Sequence, residues 1–160
     1  MPTPEPGFQI RTGDLTDPRI VALLEAHLDG ARTHSPPGSV HALDLSGLRG
    51  PGLSFWVLLD GDDVVGMGAL KGLDAAHGEV KSMHTAKAVR GRGAGTQMLR
   101  HIIAEARAKG MTRLSLETGT PDYFHPAHGL YRRHGFVDCP PFGAYVADGF
   151  SLCMTRELID

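Results

Sequence analysis

The chain has 160 residues with 41% apolar and 21% charged content and a formal net charge of −2. That length suits one domain able to bury roughly 70% of its unfolded-chain surface without staples. The composition is that of a globular protein, and the charge gives no basic face for nucleic acid or an anionic membrane. No apolar run approaches the ~20 residues of a membrane span. The first residues lack the basic and apolar regions of a signal peptide. Cys139 and Cys153 form no paired motif, which points to a reducing compartment and a cytoplasmic protein.

Residues 1–7 carry Pro2, Pro4, Pro6 and Gly7 and read as a loose leader. Phe8 to Arg11 reads as a short strand. Asp17-Pro18 supplies an N-cap and a first-turn proline. Ile20, Val21, Leu23, Leu24 and Leu28 then give an apolar helical face, with Gly30 as the expected stop. His34 to Gly38 is a loop, and His41 to Leu48 is expected to form a short helix. Ser54–Leu59 and Val64–Leu70 flank Asp60-Gly61-Asp62-Asp63 and predict a β-hairpin. Glu79 to Thr85 is a third strand of the same meander.

Arg90-Gly91-Arg92-Gly93-Ala94-Gly95 follows, and Met98, Leu99, Ile102, Ile103 and Ala106 then recur at helical spacing. That helix is expected to end at Gly110. Arg113 to Thr118 alternates as a strand. Ala127 to Arg133 reads as a helix closed by His134-Gly135-Phe136, and Ser151 to Leu158 as a last strand. Antiparallel hairpins followed by a βαβ unit predict an α/β fold with a mixed, mostly antiparallel sheet, in a single domain over 1–160.

The loop at 90–95 is the chemical signal. Glycines let the backbone approach a ligand closely. Loop amides, a helix N-terminus and guanidinium charge together suit a polyanion such as a pyrophosphate. A dinucleotide fingerprint would need glycine where Thr96 stands. Nine histidines are present. His125 and His128, or His27, His34 and His41, lack the partners of a zinc site, so no metal is expected.

Arg90, Gly93 and Gly95 fit the form Arg/Gln-x-x-Gly-x-Gly/Ala, and Ala127, Leu130, Tyr131, Gly135 and Phe136 fit Ala-x-x-Leu-Tyr-x-x-x-Gly-Phe. With Glu79 opening the preceding strand, this arrangement resembles the GCN5-related N-acetyltransferase (GNAT) superfamily over roughly residues 54–156. The resemblance implies a GNAT-like acyl-CoA N-acyltransferase fold, a central twisted sheet flanked by helices. It implies acetyl-CoA as co-substrate, transferred directly to a primary amine in a ternary complex. The cofactor-binding positions it implies are Met83, His84 and Thr85, beside the pantetheine arm, and Arg90, Gly91, Arg92, Gly93, Ala94, Gly95 and Thr96. An amide among 83–85 would polarise the acetyl carbonyl. Tyr131 would be the general acid for the leaving thiolate. Glu79, Glu117 and His84 remain open as alternatives for the base, His84 because an unperturbed imidazole titrates near neutrality.

Phe124 stands where many members have an asparagine, and Lys87 where a proline is frequent. The acceptor, a small-molecule amine or a peptide, is not specified by these motifs, although small size and a near-neutral surface favour a small molecule. Family members are often homodimers. The alternative from another class is a CoA-binding sensor module without transferase activity.

Overall fold

The computed structural model describes residues 8–36, 43–143 and 145–158. The expected leader and the start of the expected 41–48 helix lie outside them. In chain order the elements are β1 (Gln9–Thr12), α1 (Pro18–His34), α2 (Leu45–Leu48), β2 (Leu53–Asp60), β3 (Asp63–Gly72), β4 (His77–Thr85), α3 (Ala94–Ala108), β5 (Arg113–Gly119), α4 (His125–Arg133), β6 (Val137–Cys139) and β7 (Ser151–Glu157). Short 3-10 turns at Lys87–Val89 and Asp122–Phe124 precede α3 and α4.

The strands form one sheet in the order β1-β2-β3-β4-β5-β7-β6. Every adjacent pair is antiparallel except β4 and β5, which α3 connects as a parallel crossover. The sheet is buried on both sides, which is why β2 reads as a nearly continuous apolar run rather than an alternating one. Phe55 and Val57 meet Ile20, Leu24 and Leu28 of α1 on one face. Trp56 and Leu58 meet the α3 residues Met98, Leu99 and Ile102 on the other. α4 adds Tyr131 to that second layer. Among the described residues, no helix is long and apolar enough to cross a membrane.

Local signals explain most boundaries. The Asp17 side chain accepts the Arg19 amide at 2.9 Å and starts α1. Gly110 and Gly135, at φ of 81° and 85°, close α3 and α4. In each case the glycine amide and the amide after it donate to helix carbonyls, as in a Schellman closure. Gly30 is a correction. It lies inside α1, which continues to His34 and stops before Pro36. Its missing side chain makes room for the Tyr123 hydroxyl, because a Cβ there would overlap it. The short second helix is also smaller than expected, starting only after Asp44 caps the Gly47 amide.

Gly68 of β3 lies directly under α3, where a Cβ would come within 2.7 Å of Met98 Cγ and 2.9 Å of Ile102 Cδ1. Gly68→Val is expected to lose about 2 kcal/mol by overpacking, read as a lower urea midpoint at unchanged m-value.

Candidate functional site

Strands β4 and β5 pair only at His77–Arg113, Gly78–Leu114 and Glu79–Ser115. Beyond that point β4 continues along β3 to Thr85, and β5 continues along β7 to Gly119. Their facing edges part and leave a wedge in the middle of the sheet. The parting coincides with a bulge in β4. Ala69 faces Lys81 and Met67 faces His84, so Gly68 alone stands opposite Ser82 and Met83. Ser82 absorbs the extra residue at φ 57°, a left-handed conformation uncommon without glycine. The bulge resets the alternation of the strand. Met83 turns into the α3-side core, while His84 joins Glu79 and Lys81 on the α1 side.

The wedge opens into a cavity of about 560 Å³. One half is bounded by Met83, His84 and Thr85, by Arg90 and Gly91, and by Gly93 to Thr96 at the start of α3. Gly93 is the N-cap of α3 at φ 81°, and Gly91 has the same φ. A Cβ at either would meet nothing within 4 Å, so the space above the loop is open to a ligand group. The first-turn amides of α3 have no carbonyl one turn earlier to receive them. Amides, dipole and the Arg90 charge therefore suit a pyrophosphate, and the glycine-lined rim fits coenzyme A. Arg92 is the exception among the loop and strand positions expected here. Its guanidinium pairs with Asp60 at 3.2 Å and lies over the Phe8 ring, away from the cavity wall.

The other half lies between α1, β4, β5 and the segment joining β6 to β7. The cavity as a whole includes in its lining Glu79, Glu117, His84 and Tyr131, the four residues expected to handle protons. Phe124 also lines it, its ring lying where a Cβ at Gly119 would be. His84 meets His27 of α1 edge to face at 5.2 Å. Burial holds the His27 imidazole down to about 4, with the His84 ring adding to the effect. Burial likewise lowers His84 to about 4, helped by the Arg90 charge. Both rings are neutral at pH 7, so His84 is a weak base in the resting protein. Burial, then the Glu117 charge, pushes the Tyr131 hydroxyl well above its ordinary range.

Sequence reasoning missed Lys81, Tyr145 and His27. Lys81 Nζ donates to Glu79 Oε2 at 2.9 Å and to Tyr145 Oη at 2.8 Å, and Tyr145 Oη donates to the same Glu79 oxygen at 2.5 Å. The Lys81 and Glu79 side chains are only 8% and 5% exposed. A carboxylate so buried needs such partners. Burial raises the Tyr145 hydroxyl first, and its bond to Glu79 adds to the rise. The i, i+2 spacing of Glu79 and Lys81 is legible on a strand. Tyr145 lies in an irregular segment and has no periodic signal.

Among the described residues, the histidines pair at most two at a time, His125 and His128 with ring centres 5.2 Å apart. His34 bonds the Gly30 carbonyl at 2.8 Å and stacks on Tyr123, and His128 bonds the Gly119 carbonyl at 2.7 Å. His41 lies outside the described residues. Cys139 and Cys153 face each other on β6 and β7 as free thiols.

The sequence model of the Acetyltransferase (GNAT) family matches residues 20–136. The chain is 47% identical over 151 residues to the uncharacterized N-acetyltransferase YsnE of Bacillus subtilis (strain 168), across 94% of this chain and 100% of that one. It is 46% identical over 157 residues to the uncharacterized N-acetyltransferase YedL of Escherichia coli (strain K12), across 94% and 99%. Among solved structures, a GNAT family acetyltransferase from Elizabethkingia anophelis with acetyl-CoA bound shares the fold at a TM-score of 0.71 and 17% identity, across 96% of this chain and 99% of that one.

The depressed histidines set a pH dependence. The folded protein binds fewer protons than the unfolded chain between the ordinary value of 6.5 and about 4. Their effect is absent above pH 6.5, and stability falls as pH drops through that window. His27→Asn is expected to flatten the fall, read from urea midpoints at pH 7 and pH 4.5.

Proposed function

This chain belongs to the Acetyltransferase (GNAT) family and is an N-acetyltransferase, and we propose that it moves the acetyl group of acetyl-CoA onto a small-molecule primary amine by direct attack in this cavity. The observation that carries the reading is the continuity of the glycine loop with the wedge and with the proton-handling side chains. Acetyl-CoA bound to the Elizabethkingia relative supports the choice of donor.

The amides of Gly91 and of Gly93 to Thr96 hold the pyrophosphate. The free edge of β4 at Met83 to Thr85 pairs with the pantetheine arm and points an amide at the thioester carbonyl, where negative charge develops. A neutral amine forms the C–N bond as the C–S bond breaks. As the C–S bond breaks, the nitrogen passes one proton to the Tyr131 oxygen while Tyr131 passes its own to the departing sulfur. Tyr131 offers its O–H to that sulfur. An ordinary thiol titrates near 8.5 and this phenol well above 10, so Tyr131 donates a strong hydrogen bond and shares its proton without standing as a phenolate. Glu117, whose charge acts on both tyrosines, draws the acceptor ammonium toward the thioester.

The acceptor half supports a small molecule. α1, Tyr123, Phe124 and Tyr145 enclose it with aromatic and apolar groups. Neutral His27 and His84 leave the wall without added positive charge. A sensor module would need the loop but not the hydroxyls and carboxylates beyond it, so that alternative is not favoured. The free thiols are in keeping with a cytoplasmic setting.

Acetyl-CoA is expected to raise the Tm, and a panel of aromatic and aliphatic primary amines to release free thiol from it. No stabilisation by any CoA species contradicts the donor site. Gly93→Val, which places a branched side chain at φ 81° in the rim, is expected to raise the acetyl-CoA Kd at least about tenfold by calorimetry. Tyr131→Phe is expected to lower kcat about 10²-fold and leave the acetyl-CoA Kd unchanged.

A further inference from the structure

We propose that Tyr145 is the proton relay between the acceptor ammonium and Glu79, with Lys81 holding the relay in register. The inference rests on the acetyl-transfer reading of the cavity and assigns its proton path. Glu79 is the most buried carboxylate in the wall, and its Oε2 already carries two donors. An amine in the cavity reaches that oxygen through the groups bonded to it. Tyr145 Oη is one of them, and Tyr145 lines the cavity together with Glu79 and Lys81. Its proton is already directed at Oε2 over 2.5 Å.

Lys81 already places one ammonium against this pair of oxygens. Its Nζ rests against both Oη and Oε2, at 2.8 and 2.9 Å. An acceptor ammonium exchanges with the Lys81 donation to Oη while Lys81 stays on the carboxylate. The N–H bond then breaks as a new O–H bond forms at Oη, and the original phenol proton passes to Oε2. The amine gains its lone pair, Tyr145 is a phenol again, and Glu79 becomes a neutral acid that returns its proton to water. Total charge is conserved, and no phenolate has to persist.

The segment bearing Tyr145 is braced for this task. The Tyr145 ring packs edge-on against Phe142 at 5.1 Å, Phe142 faces His77 at 5.9 Å, and Lys81 Nζ lies 5.5 Å from the Tyr145 ring centre. The titratable groups facing the hydroxyl are Glu79 and Lys81 from β4, Glu117 from β5 and Cys153 from β7. Cys153 is held up to about 11 by burial and stays a neutral thiol.

The test separates proton removal from positioning by using two acceptors of similar shape. 2-Phenylethylamine is an ammonium at pH 7, whereas phenylhydrazine is largely neutral there and has no proton to give up before attack. Tyr145→Phe keeps the ring and removes the relay. It is expected to lower kcat/KM about 10²-fold for 2-phenylethylamine and less than threefold for phenylhydrazine. The 2-phenylethylamine loss should shrink as pH is raised toward that amine's own pKa, and the acetyl-CoA thermal shift should be unchanged. Glu79→Gln should show the same pattern. Equal losses with both probes, or no loss with either, would overturn the relay. Wild-type inactivity toward both probes, with the acetyl-CoA shift intact, would overturn instead the small-amine reading beneath it.

Discussion

Two strands that run side by side for three residue pairs and then separate create a problem that the rest of this molecule answers. Buried backbone N–H and C=O groups need partners, and beyond Glu79 and Ser115 the facing edges of β4 and β5 have lost each other. Filling the gap with a side-chain core would have left those groups unsatisfied. A ligand with amide groups of its own resolves the difficulty, and a pantetheine arm carries two. The bulge at Ser82 keeps β4 hydrogen-bonded to β3 while its other edge turns away, and its left-handed residue is the local cost of that turn. The rigid layers on both faces hold the two strands apart.

The same bulge sorts the chemistry. Without it, strict alternation would place Met83 beside Glu79 and Lys81 and turn His84 toward α3. With it, Met83 fills the core and an imidazole enters the cavity. The charges there are arranged to be affordable in a partly dry site. Glu79 is met by Lys81 and Tyr145, and the two histidines are neutral. What remains is a wall in which the carboxylates and hydroxyls stand beside neutral imidazoles.

Much of this was legible before the fold was known, because it rests on local rules. Asp17-Pro18 starts α1, Gly110 and Gly135 end helices, and the Asp-Gly turn makes the β2–β3 hairpin. The glycine loop and the Leu130-Tyr131 segment point to a family because their residues, order and spacing match its motifs. The errors share a different cause. Gly30 looked like a helix stop, but its glycine answers to Tyr123, more than ninety residues away. Arg92 reads from the sequence as a phosphate ligand, and its pairing with Asp60 of the hairpin depends on a residue 32 positions away. The bulge could not be read from β4 alone, since register is a property of two strands. Tyr145 was invisible for the same reason: its meaning comes from Glu79 and Lys81, 66 and 64 positions away.

The glycine loop and the β4–β5 wedge are proposed to form one acyl-CoA site ending at Tyr131. A crystal structure of the acetyl-CoA complex tests it most directly. The account predicts pyrophosphate oxygens within about 3.2 Å of at least two amide nitrogens among residues 91–96. It also predicts the pantetheine arm bonded to β4 at 83–85, with the sulfur beside the Tyr131 hydroxyl. A ligand seated elsewhere, or an arm that leaves the edge of β4 unpaired, would contradict it.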